Sequence, residues 1–208
     1  MIYPFNFQTR LREHSIVKVE LENSTTSIRF ITFLSISTLL ATLGLLADNT
    51  PVLVGSMLIA PLMSVTVALG VGISLFNKKL IFTSVSSIIM GSVISIMLST
   101  LLVSFLPTHV NTIQIAERFV PDTITFLVAV ISGIAAGLIL LWENEVQVVA
   151  GASIATTLIP PLAATGIAIS TLNTDVAIHT LYMYILNLIG VVIGAIISFY
   201  FLVPAQKQ

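Results

Sequence analysis

Two proline-bearing strings hold most of the chemistry this chain offers: GSMLIAPLM at 55–63 and ASIATTLIPPLA at 152–163. Pro61, Pro160 and Pro161 each lack a backbone N–H and crowd the turn before them, so a helix that contains them must bend or open. An opened helix bares carbonyl oxygens and amides. A bilayer tolerates bare backbone only against protein or beside a water-filled cavity. Ser56, Ser64 and Thr66 flank the first interruption, and Ser153, Thr156 and Thr157 flank the second. Freed carbonyls and such hydroxyls suit a dehydrated cation, whereas half-helix N-termini favour an anion. The alternative is a kinked, packed helix whose hydroxyls bond back to the preceding turn. A single kink favours that alternative; a matched pair favours a functional break.

Other polar residues add to the set. Asn187 lies within the last apolar segment, where a buried amide serves as interhelical glue or as a ligand. Asp48-Asn49 and Glu143-Asn144 occupy matching places at two segment ends. They suit either the entrances of a pathway or solvated helix caps. His14, His109 and His179 are scattered without metal-ligand spacing, and cysteine is absent. No Asp or Glu sits in mid-segment, which argues against a carboxylate proton relay. No phosphate-binding loop of the G-x-x-x-x-G-K-[ST] kind is present. No catalytic group, metal or cofactor is therefore expected, and the chain does not read as an enzyme.

The elements that must position these residues are apolar. Charged residues make up 8% of the 208, and hydrophobic residues 56%, against about 25% charged in soluble domains. Mean hydropathy is +1.08. Net charge is −1, so nucleic acid is not an expected partner; the lipid bilayer is. Six segments, at 30–47, 50–76, 80–106, 123–142, 147–171 and 178–203, approach or exceed the roughly 20 residues a helical span needs. Residues 1–28 mix Arg10, Arg12, Glu13, Lys18, Glu20 and Glu22 and read as a short cytoplasmic lead-in rather than a signal peptide. The membrane domain follows over 29–206. Thr50-Pro51, Asp122 or Thr123, Asn173-Thr174-Asp175 and Asn77-Lys78-Lys79 punctuate the segments as caps and tight turns.

With six crossings and the N-terminus inside, Arg10, Arg12, Lys18, Arg29, Lys78, Lys79 and Lys207 fall on the cytoplasmic side and only Arg118 outside. That split obeys the positive-inside rule and puts both termini in the cytoplasm. The halves also align: LADN at 46–49 with LWEN at 141–144, LIAPL at 58–62 with LIPPL at 158–162, and GSVI at 91–94 with GVVI at 190–193. Three crossings per half make the repeat inverted. The expected fold is an all-α integral membrane protein: six transmembrane helices as a 3+3 inverted repeat (29–106 and 123–204), the second helix of each broken or kinked at proline.

Small residues recur every four positions: Ser56, Ala60, Ser64, Ala68 and Gly72; Thr83, Ser87, Gly91, Ser95 and Ser99; Ala129, Gly133 and Gly137; Gly190, Gly194 and Ser198. Such stripes let membrane helices pack closely, and their number suggests a homo-oligomer. Two functions compete. One is a transporter or channel for a small ion or solute, with its site between the broken helices. The other is a non-transporting scaffold or assembly subunit that works through its packing surfaces.

The run ATLGLLADNTPVLVGSMLIAPLMSVTVALGVGI at 41–73 resembles the prokaryotic membrane family called domain of unknown function 389. ASIATTLIPPLAATGIAIS and NLIGVVI in the second half are similar to it too. The resemblance covers residues 30–203. It implies a multi-span bacterial or archaeal membrane protein and brings no substrate or catalytic residue. Many relatives have a larger soluble N-terminal domain, where a short segment precedes the first span here.

Overall fold

The computed structural model describes residues 26–106, 115, 122–141 and 158–202. Its elements there are α1 (Ile28–Leu46), α2 (Thr50–Ile59), α3 (Leu62–Ser74), α4 (Lys78–Phe105), α5 (Thr123–Leu141), α6 (Ile159–Ser170) and α7 (Thr174–Leu202). The first part of the fifth expected segment, with Ser153, Thr156 and Thr157, lies outside the described residues, as do Glu143 and Asn144 before it. Helices α1, α4 and α7 are long and apolar enough to cross a membrane; α2 and α3 pass together as one span bent by 49°. The described fold is therefore all-helical with three to four candidate membrane spans.

Three helix-to-helix turns share one construction. Asp48, Phe76 and Leu172 each adopt a left-handed φ, at 51°, 52° and 56°. Each precedes an asparagine whose N–H bonds back to the helix just ended: Asn49 to Gly44 O (2.8 Å), Asn77 to Gly72 O (2.9 Å) and Asn173 to Ala168 O (2.9 Å). The same asparagines then cap the next helix, their Oδ1 accepting from Val52 N, Leu80 N and Val176 N. One residue thus closes one helix and opens the next, satisfying orphan groups of both. The cap of the second segment is Asn49 rather than Thr50, which moves Pro51 into the first turn, where its missing N–H costs nothing. Asp122 caps α5 by accepting from Thr125 N at 2.7 Å.

Contact registers fix the helix directions. Thr38 and Thr42 of α1 meet Ser95 and Ser99 of α4, both at 3.0 Å, and Thr26 meets Ser87 at 2.8 Å. Partners advance together, so α1 and α4 are parallel, and α2–α3 carry the chain back along the bundle between them. In the second half Ala129 lies against Gly190, Val130 against Gly194 and Ser198 against Gly137, so α5 and α7 are parallel as well. Gly72 of α3 touches Leu80 and Ile81 near the start of α4, while Gly70 touches Ala195 late in α7. Further along α4, Ser92 bonds the Tyr184 hydroxyl, earlier in α7, at 2.7 Å. Helix α7 therefore runs opposite to α4.

These directions sort the charges. Arg29, Lys78 and Lys79, at the starts of α1 and α4, lie at one end of the bundle. Asp48, Asp122 and Asp175, after α1 and at the starts of α5 and α7, lie at the other. Among the described residues these are all the charged side chains.

Two buried clusters form the core. One gathers Phe30, Leu34, Leu53, Leu62 and Val65 with Leu158, Ile159, Leu162 and Tyr184. The other joins Met63, Val67 and Val71 of α3 to Ala129, Val191, Ala195 and Phe199. The small-residue stripes are taken up within the chain: Ser56, Ala68, Gly72, Gly91, Ser95, Ser99, Gly133 and Gly194 are all buried. Ser64 of the first stripe is exposed, and Ala60 and Thr83 are half-buried.

Candidate functional site

The first break is at Ala60-Pro61. Ala60 leaves the helix with an extended backbone (φ −68°, ψ 126°). Pro61 has no N–H to return to the Met57 carbonyl, and α2 ends at Ile59, so the Leu58 and Ile59 carbonyls have no partner within α2. Helix α3 then starts on Pro61 without a side-chain cap, so its first amides also lack helical partners. The break sits deep, because Leu62 packs on Gly91, in the middle of α4. It is one-sided. Leu62 and Met63 face the core, whereas Leu58 (48% exposed), Ile59 (37%) and Ser64 lie on the open side.

The flanking hydroxyls are bonded locally. Ser56 Oγ donates to Leu53 O (2.6 Å), Ser64 Oγ to Pro61 O (2.8 Å) and Thr66 Oγ1 to Leu62 O (2.8 Å). Ser37 of α1 donates to Ser56 O at 2.6 Å, in the last turn before the break. Ser56 and Thr66 are buried and Ser64 is exposed, so these three do not converge on one point.

At the second string, Leu158 precedes α6 without a side-chain cap, and Pro160 and Pro161 fall in its first turn. The start of a helix is where prolines are tolerated; here they strip two amide donors from its N-terminus. Both prolines are buried. Three hydroxyls hold α6. Ser99 donates to Ala163 O at 2.7 Å, Thr100 to Gly166 O at 3.0 Å, and Thr165 pairs with Thr180 at 2.9 Å. A Cβ on Gly166 would fall 2.6 Å from Ile96 O, so glycine is what lets α6 approach α4 this closely. The two proline regions border one apolar cluster, with Ala60, Leu62 and Val65 on one side and Ile159, Leu162 and Ala163 on the other.

Asn187 is buried within α7. Asp48 occupies the left-handed turn position and Asn49 the cap described above. The polar contacts between helices fall mainly on residues that were not candidates: Ser37, Thr38, Thr42, Thr100 and the Ser92–Tyr184 pair. Thr38 and Thr42 share a helix face at a spacing of four that matches Ser95 and Ser99, a signal present in the sequence. Tyr184 is buried, whereas Tyr182 and Tyr200 are exposed.

An all-helical chain with long helices that are apolar along their length, and one such helix broken in mid-course, has the character of a membrane protein. It belongs to the family described as Domain of unknown function (DUF389), whose model matches residues 57–193. The uncharacterized protein MJ0678 of Methanocaldococcus jannaschii is 31% identical over 166 residues, which cover 80% of this chain and 52% of that protein. The chain thus spans about half the length of this relative. No solved structure matches it.

Proposed function

We propose that the chain is a 3+3 inverted repeat of six crossings that moves a small ion or solute along a path beside its two broken helices. The observation that carries this reading is the one-sided break at Ala60-Pro61, halfway along α4, with backbone groups that a dry bilayer would not tolerate. The parallel pairs α1/α4 and α5/α7, with α7 opposed to α4, support the repeat. So does the placement of α3 and α6: each packs on α4 and on α7. The path would run past Ser64 and the Met57–Ile59 carbonyls and would involve the proline-led start of α6. Ser153, Thr156, Thr157 and Asn187 remain candidates for it, with Asp48, Asn49, Glu143 and Asn144 at its mouths. The basic end, with Arg29, Lys78 and Lys79, would face the cytoplasm of a prokaryotic cell, both termini with it.

Purified protein in sealed liposomes should pass at least one small ion or solute above the rate of protein-free vesicles. Silence across ions and neutral solutes, from protein shown to be folded and inserted, would sink the proposal. The scaffold reading gains from one observation: the Ser56 and Thr66 hydroxyls already bond within their own helices. Self-association would then use the exposed members of the small-residue stripes, such as Ser64, or another surface.

A further inference from the structure

We infer that the α3–α4 and α6–α7 turns are lipid contacts, with Phe76 and Leu172 seated in the headgroup regions of opposite bilayer faces. Phe76 (90% exposed) and Leu172 (88%) are the most exposed large apolar side chains among the described residues. Both also occupy left-handed positions, which glycine, asparagine and aspartate tolerate and bulky side chains resist. Asp48 holds the equivalent place in the third turn of this construction, so the turn itself does not ask for an apolar residue. Twice, then, a bulky apolar side chain stands where both the backbone and water disfavour it.

Their separation identifies what covers them. Ser92 of α4 and Tyr184 of α7 meet at one level of the bundle, and the two helices run through it in opposite directions. At a rise of about 1.5 Å per residue, Phe76 lies about 24 Å from that level towards the basic end, and Leu172 about 18 Å from it towards the acidic end. The two are therefore about 42 Å apart along an upright axis. A bilayer measures about 40–45 Å with its headgroup regions, around a hydrocarbon core of about 30 Å. Each side chain thus falls about 6 Å outside the core, at the boundary where interfacial apolar side chains settle.

The surface next to each turn fits the same occupant. Phe82, Ile89 and Val93 form an exposed apolar stripe along α4, and Ile178, Ile185 and Ile189 form one along α7, so apolar surface leads from near each turn towards mid-membrane. Exposed Lys78 and Lys79 follow the first turn, with stems long enough to lift their ammonium groups to lipid phosphates. Lipid or detergent covers the same side chains in an unfolded chain, so relieving the turns with glycine still stabilises the fold. The contact holds whether or not the bundle carries flux.

The test uses single-tryptophan variants of the full chain in phosphatidylcholine vesicles, with Trp142, its one tryptophan, replaced as Trp142→Phe. Phe76→Trp and Leu172→Trp are read separately. The quenchers are lipid bromines near the headgroup end of the acyl chains, lipid bromines near the chain terminus, and acrylamide in the water. Each probe should be quenched about twofold more strongly by the shallow bromines than by the deep ones, and should be shielded from acrylamide. Phe82→Trp and Ile178→Trp sit within α4 and α7, at ordinary helical geometry and about 9 Å deeper. They should shift the balance towards the deep bromines. Acrylamide quenching without bromine quenching, at either turn, would put that turn in water and overturn the inference. Protection from every quencher would mean that protein covers the turn, from a second copy or from another stretch of this chain, and would overturn it equally. Deep bromines dominating at the turns, or no shift at the two inner probes, would overturn the depth that the helix lengths assign.

Discussion

Alanine at Gly133 gives the sharpest test of how the second half is packed. A Cβ built there falls 2.8 Å from Val191 Cα, and nearer still to the Val191 carbonyl oxygen. Carbon atoms prefer about 3.5–4.0 Å, so α5 and α7 must part by about 1 Å. The whole seam shares that displacement, because Gly190 lies on Ala129, Gly194 on Val130 and Gly137 on Ser198. A gap of about 0.5–1 Å forfeits roughly a quarter to a half of each contact's attraction. Overpacking of this kind costs about 1–3 kcal/mol, even after the better helix propensity of alanine is counted. Gly55 in α2 is the control: a Cβ there meets nothing within 4 Å. Gly55→Ala should be neutral or stabilising by up to about 1 kcal/mol. Reversible unfolding in mixed micelles should therefore separate the two variants by about 1–4 kcal/mol. Two variants within about 0.5 kcal/mol of each other would mean that α5 and α7 do not meet on their glycines.

Ser99→Ala should destabilise the fold by about 1–2 kcal/mol, since it removes the link from Thr42 to the Ala163 carbonyl; a double-mutant cycle with Thr42→Val should show non-additive losses. Leu172→Gly and Phe76→Gly relieve side chains held in the left-handed region at exposed turns, and each should stabilise by about 0.5–1 kcal/mol in the same unfolding assay. The Asp122 carboxylate is held below its ordinary pKa by its bonds to the Thr125 side chain and backbone N–H. Its capping contribution is therefore present above the unfolded pKa and lost as pH falls through the lower folded value. Asp122→Ala should abolish that acid-side dependence, read as the difference between the two proteins' melting temperatures across pH.

Helix positions were legible wherever periodic apolar runs met strong punctuation. The segments expected at 30–47, 80–106 and 178–203 appear as α1, α4 and α7, with ends shifted by a few residues. Asn77 lies in the turn expected there and also caps α4, and of the pair Asp122 or Thr123 it is Asp122 that caps α5. The role of Asn49 was harder to see, because Thr50-Pro51 imitates a cap and first turn of its own; only the bond from Asn49 N to Gly44 O reveals the shared turn. The break at Pro61 was readable from the missing N–H. Which side of it would be open was not, because α3 packs core residues on one face and leaves Ser64 on another, a matter of neighbours rather than of local sequence. The small-residue stripes were visible but ambiguous, since a stripe that meets another helix of the same chain looks the same in sequence as one that meets a second copy. The hydroxyl pairs between α1 and α4 need the parallel register of two helices that lie far apart in the chain.

The central claim is that the open side of the Ala60-Pro61 break borders water in mid-membrane. The absence of cysteine makes a direct measurement simple: the rate at which a small, charged thiol reagent modifies single cysteines in intact membranes. Ser64→Cys lies on the open side of the break, and Ile89→Cys lies at similar depth on the exposed face of α4. The reagent needs water and a thiolate. Ser64→Cys should react readily and Ile89→Cys should stay inert. If both are equally inert, the break is dry and no pathway runs beside it.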